Sequence, residues 1–462
     1  MFSSGPQVSG SAASSAATPP AVPRNCGQLD WAETCVATST VTPRTSTVSR
    51  VVIISPSRSA STAGNTAGVR YCSAAFPVVP GGQMNPELVL ILRIGLTTLV
   101  LCASSPNASG AAQTPTEHAV PSRPETVSWG WFPLDKPPVL TIASGDTVRI
   151  DTLSHAGATQ DDHPEVSLGE LGIDPDQILS DVIDFWASRE GRPREGRSGH
   201  IITGPIAIEG AEPGDMLEIQ ILELTTRVPY GINNTGATSG VFGRRYPGSR
   251  PGDAERDIAR ARHLIRTGRA GDREVAFFSE NIEVPLAPFM GIMAVAPDPI
   301  VGQPGVTVPG VQSSRPPGAF GGNMDVKDLT VGSVLYLPVF HPGALFYVGD
   351  PHSAQGDGEV SGTAIEQSLS GRFRFILHED TPLSMPRAET DTHYILMGID
   401  LDLDRALQQA VDEVVAFLVA EKGLTPDRAL SLASIAVDFH IAEAVDLTQL
   451  VTGKIPKSLF LD

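Results

Sequence analysis

No cysteine follows Cys102. All four (Cys26, Cys35, Cys72 and Cys102) lie within the first 102 residues of 462. The rest of the chain therefore has no disulfide, no thiolate metal ligand and no cysteine nucleophile. Charge is also scarce, at 18% of residues, and aromatic side chains make up only 6%. Basic residues are outnumbered 33 to 52, for a formal net charge of −19, which excludes nucleic acid and an anionic membrane surface as expected partners. Other absences narrow the chemistry. Beyond the first hundred residues there is no G-x-S-x-G elbow and no S-x-x-K, and nowhere is there an H-E-x-x-H or a phosphate-cradling glycine loop. No repeat of roughly 20–50 residues runs through the chain.

What is abundant is glycine (45) and proline (39), a mixture that suggests many turns and short strands rather than a helical bundle. The length suits two or three domains. Residues 1–83 are rich in Ser, Thr, Ala and Pro without a hydrophobic period, and read as a disordered extension, or as sequence ahead of the true start. From Met84 a new pattern begins. Arg93 precedes the apolar run Ile94 to Ala103, and small residues follow around Ala108 to Ala112. The segment 84–112 has the shape of a secretory signal, so the protein is expected to be exported if translation starts near Met84 and cytoplasmic otherwise.

A β-rich region is expected over 126–400. Val139 to Ile142, a Ser-Gly-Asp turn and Thr147 to Asp151 read as a hairpin that delivers His155 just past its end. Residues 158–198 read as a long functional loop around one helical patch, Asp176 to Ser188. Met216 to Leu224 alternates as a strand, and 231–273, rich in Gly and Arg, reads as a surface excursion and candidate lid. The part 401–462 is expected to be helical. Ala406, Ala410, Val414 and Leu418 recur at helical spacing up to Gly423, and Thr425-Pro426 opens a second helix running to about Ala436.

The densest chemistry lies between Gly332 and Glu366. Two apolar runs, Val334 to Phe340 and Ala344 to Val348, read as buried strands. After them come Gly349-Asp350-Pro351-His352 and Gln355-Gly356-Asp357-Gly358-Glu359. Glycines let backbone approach a ligand, while Asp, Glu and His supply oxygen and nitrogen donors. Read alone, such a stretch is equally well a solvated turn. His155, His200 and His352 each sit beside a strand end rich in glycine or aspartate, and Asp325 follows Gly-Gly-Asn at a tight turn. Hydrolysis chemistry here would need water as nucleophile, since Cys and an activated Ser are lacking, and water at neutral pH needs a base or a metal.

Gly343 to Glu359 resembles the most recognisable block of the acetamidase/formamidase family, G-A-L-x-x-x-G-D-x-H-x-x-Q-G-D-G-E. The runs Gly199 to Pro205, Gly210 to Asp215, Leu286 to Pro297, Gly321 to Asp325 and Ile455 to Lys457 resemble further blocks in the same order, so the resemblance covers about 138–462. It implies hydrolysis of short aliphatic amides to ammonia and a carboxylate. It also implies a β-rich α+β fold, with a jelly-roll-like sandwich, a barrel-like β module and a smaller C-terminal α/β part, assembled as a homo-oligomer. The site it implies is a divalent metal, zinc before calcium, on His155, His200, Asp325 and His352, with Glu359 and Asp357 as catalytic carboxylates. A binding protein on the same fold, and a hydrolase of another C–N bond, are the competing readings. The extension and the two long loops depart from the family pattern and leave the substrate open.

Overall fold

Strand alternation builds the larger of two facing sheets. In Met216–Thr226 the residues Leu217, Ile219 and Ile221 point inward, and Ile219 and Ile221 stand opposite Phe375 and Phe373 of Leu369–His378. Such cross-strand apolar pairs fix register, because a slip of one residue would turn every one of them to solvent. The whole sheet has nine strands, in the order Glu117–Val120, Thr147–Asp151, Leu369–His378, Met216–Thr226, Val334–Pro338, Arg387–Glu389, His393–Asp400, Thr448–Pro456 and Asp438–Asp446. These positions come from a computed structural model, which describes residues 115–461 apart from 193–198, 244–245, 247, 251, 255, 299–303 and 307–309. The expected extension (1–83) and signal-like segment (84–112) lie outside the described residues.

The facing sheet is built differently. Its central strands, Ile201–Ile208, Phe289–Ala294 and Phe346–His352, are buried along their whole length. Gly321–Asn323 flanks them on one side, and Val127–Trp129 and Leu140–Ile142 both pair with Ile201–Ile208 on the other. One face meets the nine-stranded sheet across a single apolar core that includes Ile202, Ile292, Leu217, Ile219 and Phe373. The other face is covered by the helix Ser180–Ala187, where Phe185 stacks on Trp129 with ring centroids 3.7 Å apart. With both faces covered, these strands read as continuous apolar runs instead of alternating ones.

Three expectations change. The reading of 139–151 as a hairpin is corrected: Leu140–Ile142 and Thr147–Asp151 belong to different sheets, and the turn at Ser144 to Asp146 carries the chain between them. Over its described part the 158–198 segment is more than a loop around one helical patch: Ser180–Ala187 packs on Trp129 and Ile201, and a second short helix, Pro164–Gly169, sets Leu168 against Tyr230 and Ile232. The ends of 231–273 are strands: Tyr230–Thr235 and Ala261–Ala270 pair with each other and continue through Arg273–Ser279 and Ile282–Pro285 as a four-stranded meander.

The C-terminal part is a helical layer on the large sheet. Asp402 accepts the N–H groups of Asp404 and Arg405 to start the helix Leu403–Lys422, and Gly423 ends it at φ 65°, a conformation that costs other residues a steric penalty. Thr425 takes the N-cap position of Pro426–Ala436, but its hydroxyl makes no cap bond. The chain then returns as two nine-residue strands, Asp438–Asp446 and Thr448–Pro456, so the nine-stranded sheet runs across residue 400. The β-rich α+β fold with a C-terminal α/β part is the one expected. Among the described residues no helix is long and apolar enough to cross a membrane.

Candidate active site

One end of the two sheets gathers most of the buried ionisable groups among the described residues. Asp350 and His352 are not in a turn after a strand, as their sequence context suggests, but inside the strand Phe346–His352. Two residues apart, they project to the same side. His155 follows Thr147–Asp151, His200 directly precedes Ile201–Ile208, and Asp325 follows Gly321–Asn323. Glu359 and Glu366 lie on the path from His352 to Leu369–His378, and Asp446 ends the edge strand Asp438–Asp446. Donor atoms fall within 4.8 Å of one another in four overlapping groups: His155/His200/Asp350, Asp325/Asp350/His352, His352/Glu359/Glu366 and Asp325/Glu359/Asp446.

The backbone is bent to achieve this. Asp325, Asp350 and Glu359 have φ of 48°, 50° and 43°, the left-handed region that non-glycine residues rarely occupy. Strain of that kind persists where the surroundings over-determine it, commonly at functional sites. Gly291 forms the floor. A Cβ there would collide with Asp325 Oδ1, and would stand 2.9 Å from His352 Cε1.

The donors approach each other without bonding each other. His352 Nε2 lies 3.3 Å from Asp350 Oδ2 and 3.3 Å from Glu366 Oε1, while His352 Nδ1 is 3.6 Å from Asp325 Oδ1. His155 Nδ1 is 3.3 Å from Asp350 Oδ1, and His200 Nε2 is 3.9 Å from Asp350 Oδ2. The three contacts at 3.3 Å satisfy hydrogen-bond distance but not direction, and those at 3.6 and 3.9 Å are too long. Both oxygens of Asp325, both ring nitrogens of His352, His155 Nδ1, Asp350 Oδ1 and Glu366 Oε2 are buried with no hydrogen-bond partner. Buried polar atoms are almost always bonded, so seven orphans converging in one place describe a cation site rather than a core. Two imidazoles beside a carboxylate, as in His155, His200 and Asp350, suit zinc better than the all-oxygen shell that calcium prefers. His200 Nδ1 stands 3.2 Å from Ser314 Oγ, which leaves Nε2 facing the cluster.

Burial sets the charges. It pushes Asp325 well above the usual carboxylate range, helped by Asp350, Asp446 and Glu443 and opposed by His352. Glu359 is raised by burial and by Asp325 and Asp446, and Glu443 by burial and Asp446. Burial lifts Asp446 to about 6 although Arg315 opposes it, with Nε 3.3 Å from Oδ1. Asp350 goes the other way: burial would raise it, but His200 and His352 hold it well below its ordinary value. Among the imidazoles, burial takes His200 down to about 4. For His352 and His155 the carboxylates of Glu366 and Asp350 outweigh burial and raise both.

Of the residues singled out from sequence, His155, His200, Asp325, His352 and Glu359 come together. Asp357 does not. It pairs with Lys327 at 2.9 Å and His440 at 3.3 Å, and its side chain keeps 29% exposure, so the glycines around it turn it outward to ordinary ion pairs. Asp350, counted from sequence with the donors of the distinctive stretch but given no role of its own, is central to the cluster. Three members were not placed in the site by sequence reasoning. Glu366 sits in the distinctive stretch but looks like a strand-end polar residue, and Gly291 is hidden in an apolar run. Asp446, on the last edge strand, carried no signal. A cleft of about 960 Å³ opens beside His155, lined by Gly157, Asp162, Arg260, Arg262 and Arg315 among others.

Comparison with known proteins gives the chain's relatives. A sequence model described as the acetamidase/formamidase family matches residues 193–303 and 310–462. A candidate formamidase of Schizosaccharomyces pombe is 30% identical over 269 residues, 50% of this chain and 58% of its own length. A formamidase of Methylophilus methylotrophus is 25% identical over 391 residues, 71% of this chain and 88% of its own. The chain thus spans little more than half of the yeast relative and most of the bacterial one. Among solved structures, an acetamidase from Yersinia enterocolitica superposes with a TM-score of 0.60 at 27% identity, covering 77% of this chain and 96% of that one.

Proposed function

Since the chain belongs to the acetamidase/formamidase family, we propose that it is an amidohydrolase that cleaves the C–N bond of a linear primary amide, giving a carboxylate and ammonia. The oxygen of one water replaces nitrogen on the carbonyl carbon. The C–N bond breaks, and nitrogen leaves as ammonia with a proton from that water. The observation that carries this reading is the convergence of buried, unbonded donors at His155, Asp325, Asp350, His352 and Glu366, with His200 grouped beside His155 and Asp350. Those donors fit a divalent cation, zinc in the first place, held by His155, His200 and Asp350 with Asp325 and His352 alongside. Once bound, such an ion polarises a carbonyl and lowers the pKa of water.

The remaining work falls to the chain. Glu359 is within reach of His352, Glu366, Asp325 and Asp446, and its raised affinity for protons suits a group that takes a proton from water and returns it to the departing nitrogen. Ser314 steers the His200 ring, and Gly291 leaves room for Asp325 and His352 to face one another. Asp357 has no part in this scheme, because its ion pairs hold it outside the cluster.

Ammonia release from formamide, acetamide and propionamide is the test, before and after chelation and with zinc restored. Turnover should vanish on chelation and return with zinc, and Glu359→Gln should lower kcat by about 100-fold or more. Activity indifferent to chelation would overturn the metal part of the proposal. No ammonia from any amide would favour a binding protein on this fold.

A further inference from the structure

The wall of the cleft carries a charge that a small neutral amide does not need. Arg260, Arg262 and Arg315 line it together with His155, against Asp162 as the one acidic lining residue among the described residues. Arg315 is accounted for, since it pairs with Asp446 and donates to Val445 O at 3.2 Å. Arg260 and Arg262 are different. Arg262 Nη1 donates to Ser167 Oγ at 2.8 Å, a neutral partner, and among the described residues neither arginine forms an ion pair with a carboxylate. Arg262 lies in Ala261–Ala270 and Arg260 immediately precedes that strand, and both line the same cleft. Had they served to offset the acidic cluster, they would contact it as Arg315 does. In a protein of net charge −19, two cations left without an anion at the mouth of a site full of carboxylates form a local attractor for a negative ligand. Size agrees. At about 960 Å³ the cleft is at the upper end of the roughly 300–1,000 Å³ typical of pockets for ligands far larger than acetamide.

We infer that the substrate is an amide that also bears a carboxylate, a monoamide of a dicarboxylic acid, with its amide at the buried cluster and its carboxylate held by Arg260 and Arg262. This rests on the amidohydrolase reading above and names the substrate class for that same site. The hydrolysis is unchanged in its balance: water in, dicarboxylate and ammonia out. Arginine suits the task because its planar guanidinium can present two donors to one carboxylate.

The test compares ammonia release by the full chain from propionamide and from succinic acid monoamide. The wild type should favour the monoamide in kcat/KM by about tenfold or more, as one charge-assisted contact allows. In Arg262→Gln and in Arg260→Gln that ratio should fall by a similar factor, through KM rather than kcat, while Arg262→Lys should keep part of it. Raising ionic strength should erode the preference, since the rim is exposed. Arg260→Gln removes no hydrogen bond seen among the described residues, so it decides the matter if Arg262→Gln does not fold. A wild-type ratio of one or below, or a ratio unmoved in every variant that folds, overturns the inference while propionamide turnover leaves the amidohydrolase reading standing. Failure to release ammonia from either amide overturns both.

Discussion

The site acids whose carboxyls burial pushes upward, Asp325, Glu359, Glu443 and Asp446, are destabilising to the fold when ionised, and single substitutions should expose that. Asp325 is buried with both oxygens unbonded among other carboxylates, so Asp325→Asn should raise the thermal stability of the metal-free protein by about 1–3 kcal/mol while abolishing turnover. A melt showing equal or lower stability would mean that the surrounding dipoles already satisfy the charge. The pH dependence has a definite sign. Raised acids bind more protons folded than unfolded, and so do His155 and His352, so their contribution falls as pH rises. His200, lowered to about 4 from 6.5, works the other way between those values, where Asp446, raised to about 6, opposes it. Above pH 6.5 His200 is neutral in both states and no longer counts. There the metal-free protein should lose stability with rising pH through His352 and His155, both raised from 6.5, as a melting series would record. Gly291→Ala is the steric counterpart. The added methyl should displace Asp325 or His352, lowering kcat/KM by about tenfold or more with little change in secondary structure by circular dichroism.

At the scale of elements, packing is local and divisible from the site. Ala406, Ala410, Val414 and Leu418 form one stripe of the helix Leu403–Lys422, and Leu418 sits with Val414, Leu396 and Ile455 in a core of its own. Leu418→Ala should therefore cost about 2–5 kcal/mol in a urea titration yet leave kcat per folded molecule within twofold or so, and a larger loss of kcat would tie this layer to the chemistry. That helix was legible in the sequence because its signals are local: a four-residue apolar repeat and Gly423 after it. So were the strands bounded by glycine and proline. The hairpin expected at 139–151 was misread because a Ser-Gly-Asp turn looks the same whether the next strand folds back or crosses to the opposite sheet. Only the pairing of Leu140–Ile142 with Ile201–Ile208 distinguishes the two, and that contact is not local. For the same reason Asp350 and Asp357 could not be told apart by neighbours in sequence. A left-handed backbone turns one toward the imidazoles, and Lys327 and His440 draw the other away.

For the whole molecule the decisive fact is where the donors come from. His155 and Glu366 hang from strands of the nine-stranded sheet, Asp350 and His352 belong to the facing sheet, Asp325 and His200 adjoin it, and Asp446 lies on the final edge strand. Nearly 300 residues of chain separate the first from the last, so an ion held there would staple both sheets at their common end. Such a staple acts by mass action on the folded state alone, adding about 4 kcal/mol when the free ion stands at a thousand times its dissociation constant. Because the two sheets share one apolar core, that gain should appear as a shift of a single unfolding transition and not as a second one. We expect zinc to raise the melting temperature of the chelated protein in one cooperative step, and His352→Ala to lose most of the response even though His352 is remote in sequence from Asp446. Calorimetry with and without zinc measures it. An unshifted melt, or a shift equal in wild type and His352→Ala, would place any bound ion elsewhere and return these buried carboxylates to a purely protonic role.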